Sequence, residues 1–284
     1  MVRRITDGEI DGYRADGFVK LPGLLDQAEL APLLHELDGQ LAEPGPHGSV
    51  QRFATDRCFA LDRPALRGWA LDPVMGENAA RAMGSTEVRF FFDHLFAFEP
   101  NQPIDEHYWH QDQPYWPVEG DQIVSFWVTF TPCTAHSSGL KFVRGSHRDT
   151  MFYRPRGFDG DLPPDDVGER ADLAVDVAEQ FRADAAPPFH DDERHGEVVD
   201  FDFEAGDAVM FHTRTVHSSG GNRSATDRRV ALSLRYMGDD ACMMLRRGVF
   251  QDPALLPDPD EPFTVGAPMR SRKWPLVHPE PSGR

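Results

Sequence analysis

The 284-residue chain has little cysteine, little lysine and no long apolar run. Its three cysteines, Cys58, Cys133 and Cys242, are scattered and odd in number, which leaves neither a disulfide framework nor C-x-x-C metal spacing. A reducing compartment fits that pattern. No stretch nears the roughly 20 apolar residues of a membrane-spanning helix. The opening MVRRITDGEIDGYRADG lacks the apolar centre of a signal peptide, so a cytoplasmic protein is expected. Lysine occurs three times and the net charge is −18, which argues against nucleic acid or an anionic membrane as partner. No internal repeat is visible.

What is present reads as an ordinary globular chain, with 40% hydrophobic and 27% charged residues, long enough for a sizeable core. The negative charge is concentrated. Residues 159–207 hold seventeen Asp and Glu against three Arg, a net −14 of the −18. That stretch reads either as a solvated acidic loop or as a lid that disfavours polyanionic substrates.

Helical signals come first. Thr6-Asp7-Gly8-Glu9 has the form of a capping box. FVKLP (18–22) reads as a short strand. Asp26 reads as the cap of a second helix with Leu30, Leu33, Leu34, Leu37 and Leu41 on one face, starting late because of Pro32. A further helix within 64–83 must kink or split at Pro73. The pattern then changes to runs rich in β-branched and aromatic residues: 87–100, 122–132, 139–143, 197–203, 207–212 and 229–237. Helices followed by short strands predict a mainly β chain, a sandwich or jelly roll with N-terminal α-helices packed on one sheet. We read one domain: a helical part (1–85), a β core (86–248) interrupted by an acidic, lid-like insertion (149–196) with a weak helix over about 172–183, and a Pro-rich surface tail (249–284).

The chemistry centres on residues 109–116, W-H-Q-D-Q-P-Y-W. On a strand, His110 and Asp112 would face one way and Gln111 the other. His147/Asp149 and His190/Asp192 repeat the spacing, but only His110/Asp112 lies among rings just before a strong strand. A later segment, DAVMFHTRTVHSSGGN (207–222), offers His212 and His217 as a third ligand. His212 ends a strand, whereas His217 precedes a small-residue turn that leaves space beside it. Two histidines and one carboxylate on one face of a metal suit iron(II) that takes O2 and a chelating cosubstrate. Further on, Arg228-Arg229 opens the run VALSLRY. An arginine buried at a strand start needs an anion, and only one of the pair can point inward. The same donors also suit a zinc hydrolase, or a cupin-like protein that binds metal or carbohydrate without oxygen chemistry.

The segments WHQD, FW…C…GLKFVRGSH and GDAVMFH…HSSGGN…R together resemble the phytanoyl-CoA dioxygenase family, over roughly residues 9–240. The resemblance implies a double-stranded β-helix (jelly-roll, cupin-like) and an iron(II)/2-oxoglutarate-dependent dioxygenase that consumes O2 and releases succinate and CO2. It implies His110, Asp112 and His217 as iron ligands and Arg228 as the 2-oxoglutarate anchor. Ser219 and Trp127 match positions that line the cosubstrate pocket, and Gln113, Tyr115 and Trp116 are expected at the pocket mouth for substrate. Gln111 is expected to support a neighbouring strand, and Asn222 to shape the turn carrying His217. Many members carry a lysine in the strand before H-x-D; here that strand reads HLFAFEPN. The carboxylate ligand Asp112 is present, which favours oxygenation over halogenation. The expected outcome is hydroxylation of an unactivated C–H, with epimerisation, cyclisation and desaturation as alternatives. The three lysines and the acidic insertion point to a neutral or cationic small molecule, of the secondary-metabolite kind, rather than an acyl-CoA.

Overall fold

The computed structural model describes residues 2–50, 53–102, 109–155, 172–182, 197–247 and 251–279. Four helices open the chain. Helix α1 (Asp7–Asp16) starts at Thr6, whose hydroxyl accepts from Glu9 N while Glu9 caps Thr6 N in return. It stops at Gly17, whose φ of +88° suits glycine. Strand β1 (Phe18–Leu21) follows directly. Helix α2 (Gln27–Ala42) begins at its Asp26 cap and runs straight through Pro32, rather than starting late. Burial of Leu30, Leu33 and Leu37 compensates for the N–H that proline lacks. After β2 (Ala54–Arg57), the expected break at Pro73 separates α3 (Pro64–Ala70) from α4 (Pro73–Met83), with Asp72 capping the latter.

The strands that follow are β3 (Val88–Phe98), β4 (Val118–Glu119), β5 (Ile123–Thr129), β6 (Leu140–Val143), β7 (Val198–Asp200), β8 (Ala208–His212), β9 (His217–Ser219), β10 (Arg229–Met237), β11 (Cys242–Met243) and β12 (Leu276–His278). The major sheet has the order β1-β8-β5-β10-β3-β12, with β2 also on β3; β7-β6-β9 form a second sheet. The expected mainly β, jelly-roll architecture holds.

Side-chain alternation divides the core. Val230, Leu232, Leu234 and Tyr236 of β10 pack under the helices with Leu37, Leu66 and Met75. Ala231 faces the other way, toward Trp127, Phe142 and Phe211 between the two sheets. Phe142 of the small sheet stacks on Phe18 at 4.8 Å and meets Phe211 at 5.3 Å.

Two further expectations fail. The C-terminal stretch does not merely lie on the surface. Its β12 pairs with β3 at Val88 and Arg89, and Trp274, 1% exposed, packs against Phe91. Gly76 lets α4 reach this strand, because a Cβ there would lie 2.8 Å from Val277 Cγ1. The weak helix over 172–183 is also absent within 172–182. Ala174, Val177 and Phe181 have helix-like spacing, yet this backbone forms no α-helix: it closes a 3-10 turn at Ala178–Gln180 and also bonds to Phe152, Leu245 and Arg247. The rest of the insertion, with His190 and Asp192, lies outside the described residues, apart from residues 149–155. Among the described residues no helix is long and apolar enough to cross a membrane.

Candidate metal centre

His110, Asp112 and His217 meet. Each offers one ligand atom, and these atoms lie within 4.8 Å of one another. The backbone brings them there. His110 and His217 exchange N–H···O bonds of 3.0 and 2.9 Å, so the two ligands sit side by side on adjacent chains. Asp112 does not continue a strand, contrary to the alternation argument. It adopts a helical conformation, heads a 3-10 turn at Gln113–Tyr115, and donates its N–H to Thr213 O at 3.0 Å. A turn, not a pleat, aims it at the histidines.

The carboxylate oxygens are differentiated. Asp112 Oδ1 is 3.6 Å from both His110 Nε2 and His217 Nε2, while Oδ2 is 3.5 Å from Arg235 Nη2. Oδ2 is buried and has no hydrogen bond. His217 Nδ1 lies 2.9 Å from Thr215 O, so it must carry the proton, which leaves the Nε2 lone pair facing Asp112. Burial, aided by the neighbouring His110, pulls His217 down to about 4, so its imidazole is neutral at physiological pH. Burial alone would raise the Asp112 carboxyl, but His217, Arg235 and His110 outweigh it and hold the group well below the usual range. Two imidazoles, that of His217 neutral, and an ionised carboxylate with an orphaned oxygen fit a divalent cation of the iron(II) type.

The other candidates stay out of this cluster. His212 is buried against Tyr13, accepts from Arg214 N at 3.0 Å, and is pushed down to about 3 by burial and Arg214. His147 packs beside His212, and Asp149 pairs with Arg182.

Arg228 requires a correction. It points outward, to Asp38 at 2.8 Å and Glu99 at 2.9 Å. Arg229 points inward because it shares the inter-sheet face of β10 with Ala231. It is 2% exposed and donates to Ser138 Oγ at 2.8 Å and Phe96 O at 3.1 Å. Its guanidinium lies 4.5 Å from the Phe98 ring and 5.7 Å from Trp127, so the lysine-free strand supplies an aromatic platform. Its Nε has no hydrogen-bond partner, and burial pulls the group down to about 10. Ser138 holds a left-handed backbone, φ +70°, unusual for serine. Trp127 thus stands beside the inward arginine, and Ser219 ends β9 opposite Leu140.

Two of the expected mouth residues are packed elsewhere. Gln113 is fully buried and donates to Gly120 O at 2.9 Å. Trp116 is 4% exposed and stacks edge-on with Phe91 and Phe92, behind Arg235. Both were drawn inward by the turn at Asp112. Tyr115 remains half-buried against His110, ring centroids 5.8 Å apart. Gln111 supports its neighbours, donating to Arg214 O and accepting from Tyr153 N. Buried Asn222 ties down the turn after His217 through Asp227 O and Ser224 N. Sequence reasoning missed Ser138 and Arg235. Period-two counting from Arg229 along RVALSLR would have flagged Arg235; nothing local marks Ser138.

The phytanoyl-CoA dioxygenase (PhyH) family matches residues 13–230. The chain belongs to the phytanoyl-CoA dioxygenase family. An ectoine dioxygenase of Bordetella bronchiseptica is 24% identical over 237 residues, spanning 78% of this chain and 71% of that protein. Among solved structures, the α-ketoglutarate-dependent carbocyclase SnoK of nogalamycin biosynthesis superposes with a TM-score of 0.69 at 22% identity, covering 96% of each chain. The epimerase SnoN, solved with Fe3+, α-ketoglutarate and nogalamycin RO, gives 0.66 at 23% identity, covering 95% of this chain and 98% of that one. This PhyH protein is therefore a dioxygenase on a jelly-roll core, as the motifs implied.

Proposed function

We propose that this PhyH protein hydroxylates an unactivated C–H of a small secondary metabolite, neutral or cationic, with release of succinate and CO2. The observation that carries this reading is the convergence of His110, Asp112 and His217, with ligand atoms within 4.8 Å of one another. His110, Asp112 and His217 would hold iron(II), which when bound supplies the oxidising chemistry with O2. Arg229, in place of Arg228, takes the far carboxylate of 2-oxoglutarate with its free Nε and fork geometry. Ser138 and the rings of Phe98 and Trp127 orient that guanidinium. Ser219 lies near the same end and Tyr115 walls the metal on the substrate side. Packed phenylalanines around His217 exclude water from the ligand.

A neutral or cationic substrate follows from the charge of −18 and the three lysines, since an acyl-CoA brings several phosphates. The three cysteines form no disulfide, in keeping with work in the cytoplasm. Cyclisation and epimerisation, the activities named for SnoK and SnoN, are the second reading. The test is succinate release from 2-oxoglutarate under iron(II) and O2, screened over candidate metabolites, with product mass read out. Gain of one oxygen supports hydroxylation; loss of two hydrogens, or no mass change, supports the second reading. Absence of 2-oxoglutarate binding would remove both.

A further inference from the structure

Arg235 is a buried cation that the reading above leaves without a role. It is 4% exposed and sits between the rings of Phe92 and Trp116, its Cζ 4.6 and 5.1 Å from their centroids. Its Nε and Nη1 have no hydrogen-bond partner, and among the described residues its one ion pair is to Asp112 Oδ2. Keeping a guanidinium in such a place is unfavourable unless the pairing matters elsewhere. The geometry points to its purpose: we infer that Arg235 is a positioning residue that keeps Asp112 a one-oxygen ligand. This rests on the metal-centre reading.

The chemistry is a matter of counting donor atoms. Oδ1 stands at the same 3.6 Å from both imidazole Nε2 atoms, so it is the oxygen turned to the metal position. Oδ2 makes no hydrogen bond that would restrain it from swinging to the same ion. If it did, the carboxylate would chelate and occupy a position that a keto acid or O2 needs. The guanidinium charge holds Oδ2 back, and the rings fix the guanidinium. Arg235 reaches the site from β10, the strand that also carries Arg229 at its other end. One strand therefore fixes both the cosubstrate anchor and the binding mode of the carboxylate ligand.

The test uses the full chain loaded with Mn(II), without O2 or substrate. Three quantities are read: the Mn(II) Kd, the number of exchangeable waters on the ion from water-proton relaxation, and the Kd of 2-oxoglutarate. In Arg235→Met, one water is expected to be lost and 2-oxoglutarate to bind about 10-fold more weakly. The Mn(II) Kd should stay the same or tighten, because a donor is gained and a repelling charge removed. Arg235→Lys should show the same pattern at roughly 3-fold, and it decides the question if the methionine variant does not fold. A merely structural arginine would instead weaken Mn(II) and leave the water count unchanged in the variant that folds; that result overturns the inference. Failure of the unmutated protein to bind Mn(II) or 2-oxoglutarate is a different outcome, and removes the metal-centre reading itself.

Discussion

At the scale of single residues, the site separates neighbours that look alike on paper. Arg228 and Arg229 are adjacent, yet one reaches Asp38 and Glu99 and the other Ser138. Arg229→Ala is expected to raise the 2-oxoglutarate Kd by about 10- to 100-fold, and Arg228→Ala to leave it within about 2-fold, by calorimetric titration. His217→Ala should weaken metal binding at least ~10-fold, whereas His212→Ala should not, because His212 is committed to Arg214 N. Ser138→Gly combines two effects. Its φ of +70° suits glycine, so the melting temperature should hold or rise, but the lost Oγ frees Arg229 Nη2 and 2-oxoglutarate should bind several-fold more weakly. The candidate metal ligands were legible in the sequence because H-x-D and a later histidine are chemically conspicuous, and the fold brings them together. The choice between Arg228 and Arg229 was not, because a shift of one residue flips a strand face, and the loop before β10 sets that register.

At the scale of elements, local signals worked where they were strong. The capping box at Thr6, the break at Pro73 and the run 229–237 all appear where the residues place them. The strands β2, β4, β9, β11 and β12 were missed. Each is two to four residues long, and pairing rather than propensity defines it. The weak helix expected over about 172–183 failed, within the described residues, for the same reason in reverse: its apolar spacing serves contacts with Phe152 and Leu245. Gly76→Ala tests the α4–β12 contact. Alanine is the better helix former by about 1 kcal/mol, yet its Cβ would strike Val277, so urea unfolding should show net destabilisation. Trp274→Ala should cost about 3–5 kcal/mol in the same assay, as expected when a large buried ring is removed.

At the scale of the whole molecule, acid stability follows from groups buried in their neutral form. Burial lowers His217 to about 4 and His212 to about 3, against about 6.5 when unfolded. Below that ordinary value the unfolded chain takes up protons that the folded one refuses, so stability falls as pH falls. Asp93 opposes this. Burial raises it to about 6, so its protonation as pH falls returns part of the loss. His94, lowered further still by burial and Arg235, adds to the loss, so the balance for the metal-free protein is a loss of roughly 3 kcal/mol between about pH 7 and about pH 5.5, measurable by urea titration at the two values. A flat or inverted profile would show that these histidines are protonated in the fold.

The pairing of β12 with β3 also has a consequence for biosynthesis. The edge at Val88 and Arg89 is completed by residues 276–278, which follow β3 only after the whole of the β core. While a ribosome is still translating, that edge stays open, and open strand edges invite pairing with other chains. Molecules in which residues 276–278 are not yet made or have been removed are therefore the forms expected to aggregate and to engage chaperones, whereas β12, once in place, closes the gap.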